Sequence, residues 1–405
     1  MRRLRNAANA QERDFVKRAA LVAVAAVISS CRVQAEVVEL SPNALDAGRP
    51  APAPQLALTD VRSLGAHGDG VHDDAAAINA ALAAAAQSGG GVVYLPAGTY
   101  LVGQTLLFPS ERPVTLAGSG AGSTTIKLKD GANVDLVSQE GFAELTGTST
   151  RRGLDRTAIK DLRLDGNRLR NRRGSGVRWY GRAFLIHNVA IENCAGDGLW
   201  TEYSGPDDFS TVGVELEATY TQLVTAHNGG VGWRNKGPHD SMVRGFVSYG
   251  NGGWGWHNES PAHAIEVNTY LNTAGGIRSV HPILGSVIAG TTEGGWGMLI
   301  EPPGGGYAIT ASVFAGPIAL EIRTPNHTIQ AVVANSTTTG VRLKGGSANL
   351  QLTMFGNRGT WFDVADQNGA SIVTVQALDA VGTLFKGDPS GVWLVRGVKS
   401  FTQLK

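Results

Sequence analysis

A short unit, Gly-x-Gly followed by an apolar residue, recurs along this chain at a nearly constant step. It reads "GSGVRWY" at 174–180, "GDGLWTE" at 196–202, "GVGWRNK" at 230–236 and "GWGWHNE" at 253–259, then "GGIRSV" at 275–280 and "GWGMLIE" at 295–301. Looser copies follow as "TGVRLKG" (339–345) and "VGTLFKG" (381–387). With the glycine before the apolar residue as marker, positions 176, 198, 232, 255, 276, 297 and 340 are separated by 22, 34, 23, 21, 21 and 43 residues, the last being two steps. A fixed period of this length signals a solenoid. The Leu/Asn pattern of a leucine-rich repeat is absent, so the period fits one coil of a parallel β-helix. The expectation is an all-β, single-stranded right-handed parallel β-helix of about ten coils between residues ~105 and ~390.

Composition agrees with that reading. Gly numbers 54 of 405, and charged residues are 17% of the chain, against about 7% and 25% in an average globular protein. Tight turns at regular intervals need such glycines. A formal net charge of +1 provides no field for nucleic acid or an anionic membrane surface. Two cysteines, Cys31 and Cys194, rule out a disulfide framework, and Cys194 has no metal-spaced partner and reads as a buried small residue.

The N-terminus runs "MRRLRNAANAQERDFVKR", "AALVAVAAVISSC", "RVQAEV". A basic start, a short apolar stretch and a Val-Gln-Ala site have the form of a secretory signal. The apolar stretch is too short for a span of ~20 residues. Residues 1–35 are therefore expected to be a cleaved leader, 36–55 a linker and 56–405 the solenoid. The expected product is secreted or periplasmic and not inserted in a membrane. Lipid anchoring at Cys31 is the lesser alternative, because "ISSC" is a weak lipoprotein box.

The segment "LGAHGDGVHDDAAAINAALAAAAQSGGGVVYLPAGTYLV" (64–102) places two histidines and three aspartates within His67–Asp74. The following Ala-rich run has the highest helix propensity in the chain. Asp73 or Asp74 is placed to cap its free N–H groups, and Ser88-Gly-Gly-Gly ends it. Asp69-Gly70 is a turn pair. The cluster reads as a turn and a helix cap near 74–87 rather than as a metal or catalytic site.

The same residues resemble the N-terminal signature of the pectate-lyase-like family of right-handed parallel β-helices, which includes rhamnogalacturonase-type and epimerase-like proteins and phage tailspikes. The resemblance implies that the 74–87 helix caps the open end of the solenoid. It says little about substrate. Of the polygalacturonase set N-T-D, D-D, G-H-G and R-I-K, only Asp207-Asp208 is present, and the Y-G-F-D-P-H pattern of alginate epimerases is missing.

Side chains alternate along a strand, so the aligned units separate into rows. Directly after the marker stand Val177, Leu199, Trp233, Trp256, Ile277 and Met298, which are expected in the core. Two after it, on the outer face, stand Arg178, Trp200, Arg234, His257, Arg278 and Leu299; four after it, Tyr180, Glu202, Lys236, Glu259, Val280 and Glu301. Later segments such as "GPIALEI" (316–322) look poorer in aromatic and ionic groups, which marks the central coils as a ligand face. The long step of 34 adds an insertion after Glu202, Tyr203 to Gln222, carrying Asp207 and Asp208; loops beside such a face commonly carry function. The next turns bring His239, Asp240 and His263.

Such a face suits an extended, acidic polysaccharide: aromatics stack on sugar rings and Arg or Lys holds uronates. For β-elimination, Arg234 would neutralise the uronate and Lys236 or His257 would take the C5 proton, with His239 and Tyr203 as further donors or acceptors. Glu202 or Asp208 would orient the sugar or hold a Ca²⁺. Trp200, Tyr203, Arg178, Arg278 and Asp207 would bind substrate. For hydrolysis two carboxyl groups are needed, at ~5–5.5 Å or ~6.5–9.5 Å; Glu202 and Glu259, two coils or about 9.6 Å apart at ~4.8 Å per coil, with Asp207, Asp208 or Asp240, are the candidates. A third reading is a non-catalytic binder, either a monomer or a homotrimer like the tailspikes. Polysaccharide lyase is the favoured one.

Overall fold

The computed structural model describes residues 57–396, apart from 111, 147–152, 205–216, 291–294, 304–305, 315, 346, 367–370, 379–381 and 388. The expected leader, the linker, Cys31, Asp207 and Asp208 all lie outside the described residues.

Almost every described element is a strand, and every strand pairing is parallel, forming one 18-stranded and one 13-stranded sheet. The smaller sheet runs through twelve strands in chain order, from Leu106–Phe108 to Thr383–Lys386, so the solenoid has twelve turns where about ten were expected. Each turn places one short strand in this sheet and returns through the larger one. Parallel crossovers of this kind are right-handed almost without exception. This is the parallel β-helix implied by the period.

The register explains the period. Val177 pairs with Leu199, Leu199 with Trp233, Trp233 with Trp256, Trp256 with Ile277 and Ile277 with Met298. All six are fully buried. Trp233 and Trp256 stack with centroids 5.2 Å apart and planes 6° from parallel, and Tyr220 adds a third ring 4.3 Å from Trp233. The marker glycines are needed because the coils approach too closely for a side chain. A Cβ on Gly232 would stand 2.5 Å from the carbonyl of Gly255, and one on Gly255 would stand 2.8 Å from that of Gly276. In the turn inside the 43-residue step the equivalent position is Ala319, between the paired residues Ile318 and Leu320.

Two buried polar ladders follow the same repeat. Asn228 Nδ2 donates to Asn251 Oδ1 at 2.9 Å, and Asn251 Nδ2 to Asn272 Oδ1 at 2.8 Å. The side-chain oxygens of this ladder also accept main-chain N–H groups of the preceding turn: Cys194 N donates to Asn228 Oδ1 and Asn228 N to Asn251 Oδ1. On the other side of the small strands, Asn235 Nδ2 donates to Asn258 Oδ1 at 2.8 Å and Asn258 Nδ2 to Ser279 Oγ at 3.1 Å. Buried polar groups are tolerated only when partnered in this way.

The N-terminal end is covered by helix α1 (Ala75–Gln87), which buries Ile78, Ala81, Leu82 and Ala85. The capping aspartate is Asp73, whose Oδ1 accepts from Ala75 N at 3.1 Å. Asp74 instead turns back and accepts from His67 N (2.7 Å) and Gly68 N (3.0 Å). Asp69 accepts from Val71 N and His72 N, closing the turn. A second, one-turn helix, α2 (Phe142–Leu145), lies over the start of the small sheet. Cys194 is buried, and burial pushes its thiol pKa far up.

Candidate active site

The outer face of the small sheet carries the expected rows in register. Arg178 pairs with Trp200, Trp200 with Arg234, Arg234 with His257, His257 with Arg278 and Arg278 with Leu299. Tyr180, Glu202 and Lys236 form the start of the second row.

Trp200 is the centre. The Arg178 guanidinium lies 5.5 Å from its ring centroid, that of Arg234 5.2 Å, and Lys236 Nζ 5.9 Å. An indole face attracts cations through its quadrupole, which lets Arg178 of the preceding turn and Arg234 and Lys236 of the following turn gather around it. The indole N–H donates to Glu202 Oε2 at 3.3 Å, and Phe142 of α2 meets the ring edge-on at 5.6 Å.

Arg234 is held from two sides. Its Nε donates to Asp197 Oδ2 at 3.1 Å, and Nη1 faces His257 Nδ1 at 3.4 Å. Asp197 is itself fixed by Val231 N, which donates to its Oδ1 at 2.7 Å. With Nδ1 accepting, the imidazole hydrogen lies on Nε2, 3.4 Å from Glu259 Oε1. Glu259 Oε2 lies 3.7 Å from Lys236 Nζ. Burial, and then the nearby cations Arg278, Arg234 and Lys236, bring the His257 pKa down to about 3. Three cations outweigh one carboxylate, so His257 is neutral at physiological pH.

Several expected members sit elsewhere. Tyr180 and Tyr203 are buried together, 5.6 Å apart, beneath Phe142 and Leu145, so neither ring lies open on the face. Leu299 occupies an outward register position but is buried. His239 Nδ1 and Asp240 Oδ2 form a 3.0 Å pair in the turn after Lys236, away from the row itself. His263 belongs to the larger sheet, in register with Met242 and Leu284. Glu202 and Glu259 occupy the turns on either side of Lys236, flanked by cations. Among the described residues no three His, Cys, Asp or Glu side chains converge as a metal site. Asp208, which was expected with Glu202 as a Ca²⁺ ligand, lies outside the described residues, and no step below runs through a metal.

The expectation that later coils are poor in ionic groups is overturned. Arg278 pairs with Glu301 (2.5 Å), Glu301 with Arg323 (2.7 Å), Arg323 with Glu321 (2.6 Å), Glu321 with Arg342 (3.3 Å), Arg342 with Asp363 (3.1 Å) and Asp363 with Lys386 (3.5 Å). Opposite charges on successive turns form a continuous ladder, and a face of that kind satisfies itself. What distinguishes the central turns is the indole among three cations beside a neutral imidazole, not the number of charges. Sequence reading passed over Asp197, Asp135 and the role of Glu301. Asp197 was within reach, since "GDG" places it one residue before a marker.

Residues 58–278, more than half of the 405, match the family described as rhamnogalacturonase A/epimerase, pectate lyase-like. The chain belongs to that family. Among its relatives, mannuronan C5-epimerase AlgE4 of Azotobacter vinelandii is 37% identical over 156 residues, covering 35% of this chain and 27% of that protein. Alginate lyase 7 of the same organism is 36% identical over 148 residues, covering 33% and 16%. These matches thus span about a quarter or less of the relatives' length. Among solved structures, the A-module of AlgE4 aligns with 86% of this chain and 100% of its own, at 21% identity and a TM-score of 0.47. No helix among the described residues is long and apolar enough to cross a membrane.

Proposed function

We propose that this family member is an enzyme that binds a uronic-acid polysaccharide on the outer face of the turns marked by Gly198, Gly232 and Gly255, and removes the C5 proton of a bound uronate. The observation that carries this reading is the Arg234 cluster: a guanidinium with Nη2 left without a protein partner among the described residues, beside a neutral imidazole and a cation-ringed indole. A uronate carboxylate on Arg234 would have its charge offset, which acidifies the adjacent C5–H. Lys236 or His257 then accepts the proton. Burial and the nearby cations Arg278, Arg234 and Lys236 make His257 a weak base, and a carboxylate bound to Arg234 would offset part of that positive charge and raise its basicity.

In β-elimination the C5–H electron pair becomes the C4=C5 double bond, the C4–O bond breaks, and the leaving oxygen takes a proton. Returning a proton to the opposite face of C5 would give epimerisation, a reading favoured by the relative named as a C5-epimerase. Both share the first step. A leader at 1–35 suits a polymer found outside the cell.

The test is incubation in D₂O with polymannuronate, polyguluronate, polygalacturonate and neutral glucans. A rising absorbance in the unsaturated-uronate band together with new reducing ends marks a lyase. Deuterium at C5 without chain scission marks an epimerase. Reducing ends alone would replace the proposal by hydrolysis, and binding without any of these signals would replace it by a non-catalytic binder.

A further inference from the structure

N-terminal to Trp200, the outer face leads into an open cleft of about 280 Å³, just under the lower bound of ~300 Å³ for small-ligand pockets. Leu107 and Ser138, paired in register, lie at its base, two turns and one turn before Arg178 in the row that continues to Trp200. Phe142 and Glu144 of α2 form its wall, and Arg178 its border with the Trp200 site. Phe142 therefore separates two spaces, with its edge on Trp200 and its body lining the cleft.

Two features indicate what the cleft receives. Arg178 turns its buried Nε toward Asp135 Oδ2 at 3.4 Å, and Nη2 reaches only Ser175 Oγ at 3.5 Å. Nη1 has no protein partner among the described residues, so this half-buried guanidinium keeps a donor for a ligand oxygen at the border of the cleft. The charge balance of the cleft is also unlike that around Arg234. Asp135 offsets Arg178, and Glu144 has no ion-pair partner among the described residues, so the cleft holds no spare positive charge for a second carboxylate.

We infer that the cleft is an end subsite that seats a terminal, uncharged saccharide residue through its hydroxyl groups, with Arg178 donating and Asp135 and Glu144 accepting. The polysaccharide would lie with one end against α2 and a uronate two turns on, over Arg234. This inference rests on the uronate reading of Arg234 for the orientation of the chain, but not for the cleft itself.

The experiment is calorimetric binding of two tetrasaccharides to the full-length protein, one built wholly of uronates and one ending in a neutral hexose. Wild type is expected to bind the neutral-ended form at least tenfold more tightly. Leu107→Trp, at a half-exposed position whose larger ring fills the cleft, should abolish that difference and leave the all-uronate affinity within twofold. Ser138→Leu serves as a second filling variant if Leu107→Trp fails to fold. Equal affinities in wild type, or a preference that survives both filled variants, overturns the subsite. If Arg234→Ala loses uronate binding while the filled variants change nothing, the uronate reading stands and the subsite falls. If the filled variants lose the preference while Arg234→Ala changes nothing, the subsite stands and the uronate reading falls. Binding of neither tetrasaccharide overturns both.

Discussion

Arg234 Nη1 lies 3.4 Å from His257 Nδ1, so the guanidinium supplies the imidazole with a donor and adds to the burial and the Arg278 charge that keep it from acquiring a proton. The two residues come from adjacent turns, 23 residues apart in the chain, and only the parallel register makes them neighbours. Their coupling underlies the first two predictions.

Arg234→Ala is expected to lower kcat/KM on the active polymer by ~10²–10³, the usual loss for one electrostatic stabiliser, with the fold intact by circular dichroism. Arg234→Lys keeps a charge but loses the planar fork, and should recover only part of that loss. Glu202→Gln should also reduce turnover strongly, because Glu202 anchors the Trp200 indole N–H. Full activity in both Arg234→Ala and Glu202→Gln would place the chemistry elsewhere.

The His257 pKa of about 3 lies below its unfolded value near 6.5, so the unfolded chain takes up a proton more readily than the folded one. The resulting stabilisation is fully present above pH 6.5 and is lost as pH falls toward 3, with a slope approaching about 1.4 kcal/mol per pH unit. His327, lowered mainly by burial, acts in the same direction. Urea unfolding at pH 7, 6, 5 and 4 should show a shallower decline for His257→Gln than for wild type. Parallel curves would refute the neutral imidazole.

Asp197 is a positioning residue, acting through Arg234. Asp197→Asn preserves the shape and the bond from Val231 N but removes the charge opposite Arg234 Nε. The expected result is a KM raised several-fold, with a smaller fall in kcat and a shifted pH profile, since Arg234 would be less fixed and less compensated beside His257. A purely structural Asp197 would change stability and leave the profile unmoved.

Asn251 accepts from the main-chain and side-chain N–H groups of Asn228 and donates to Asn272, Thr225 and Ser248. Asn251→Ala leaves buried groups unpaired on both sides, each costing ~1–3 kcal/mol. Chemical denaturation should show a loss of about 2–4 kcal/mol on that basis, far more than Asn349→Ala at an exposed position on the larger sheet. Equal losses at the two positions would count against a ladder role.

The period, the core row and the outward rows were legible in the chain, because a solenoid repeats one local geometry and stacks equivalent positions directly. Trp233 over Trp256, and Arg234 beside His257, follow from counting alone. The asparagines at 228, 251 and 272 were equally visible in that count, but their role was not read, because a polar residue in a turn has no sequence mark of being buried.

What only the tertiary structure decided are the contacts that cross the register diagonally or involve elements outside the repeat. Asp197 reaches Arg234 from one turn back and three positions off its row, and the ladder crosses to a second row through Glu301 and Arg323 before it runs straight from Glu321 to Lys386, so residue spacing does not reveal the crossing pairs. Tyr180 and Tyr203 are buried because α2, from an aperiodic stretch, folds over them. Asp73 rather than Asp74 caps α1 because the chain bends back at His67 and Gly68, whose N–H groups claim the second carboxylate. The repeat alone sets which residues share a row. Which side chains meet within and across the rows depends on side-chain reach and on what covers the face, and the period carries no record of either.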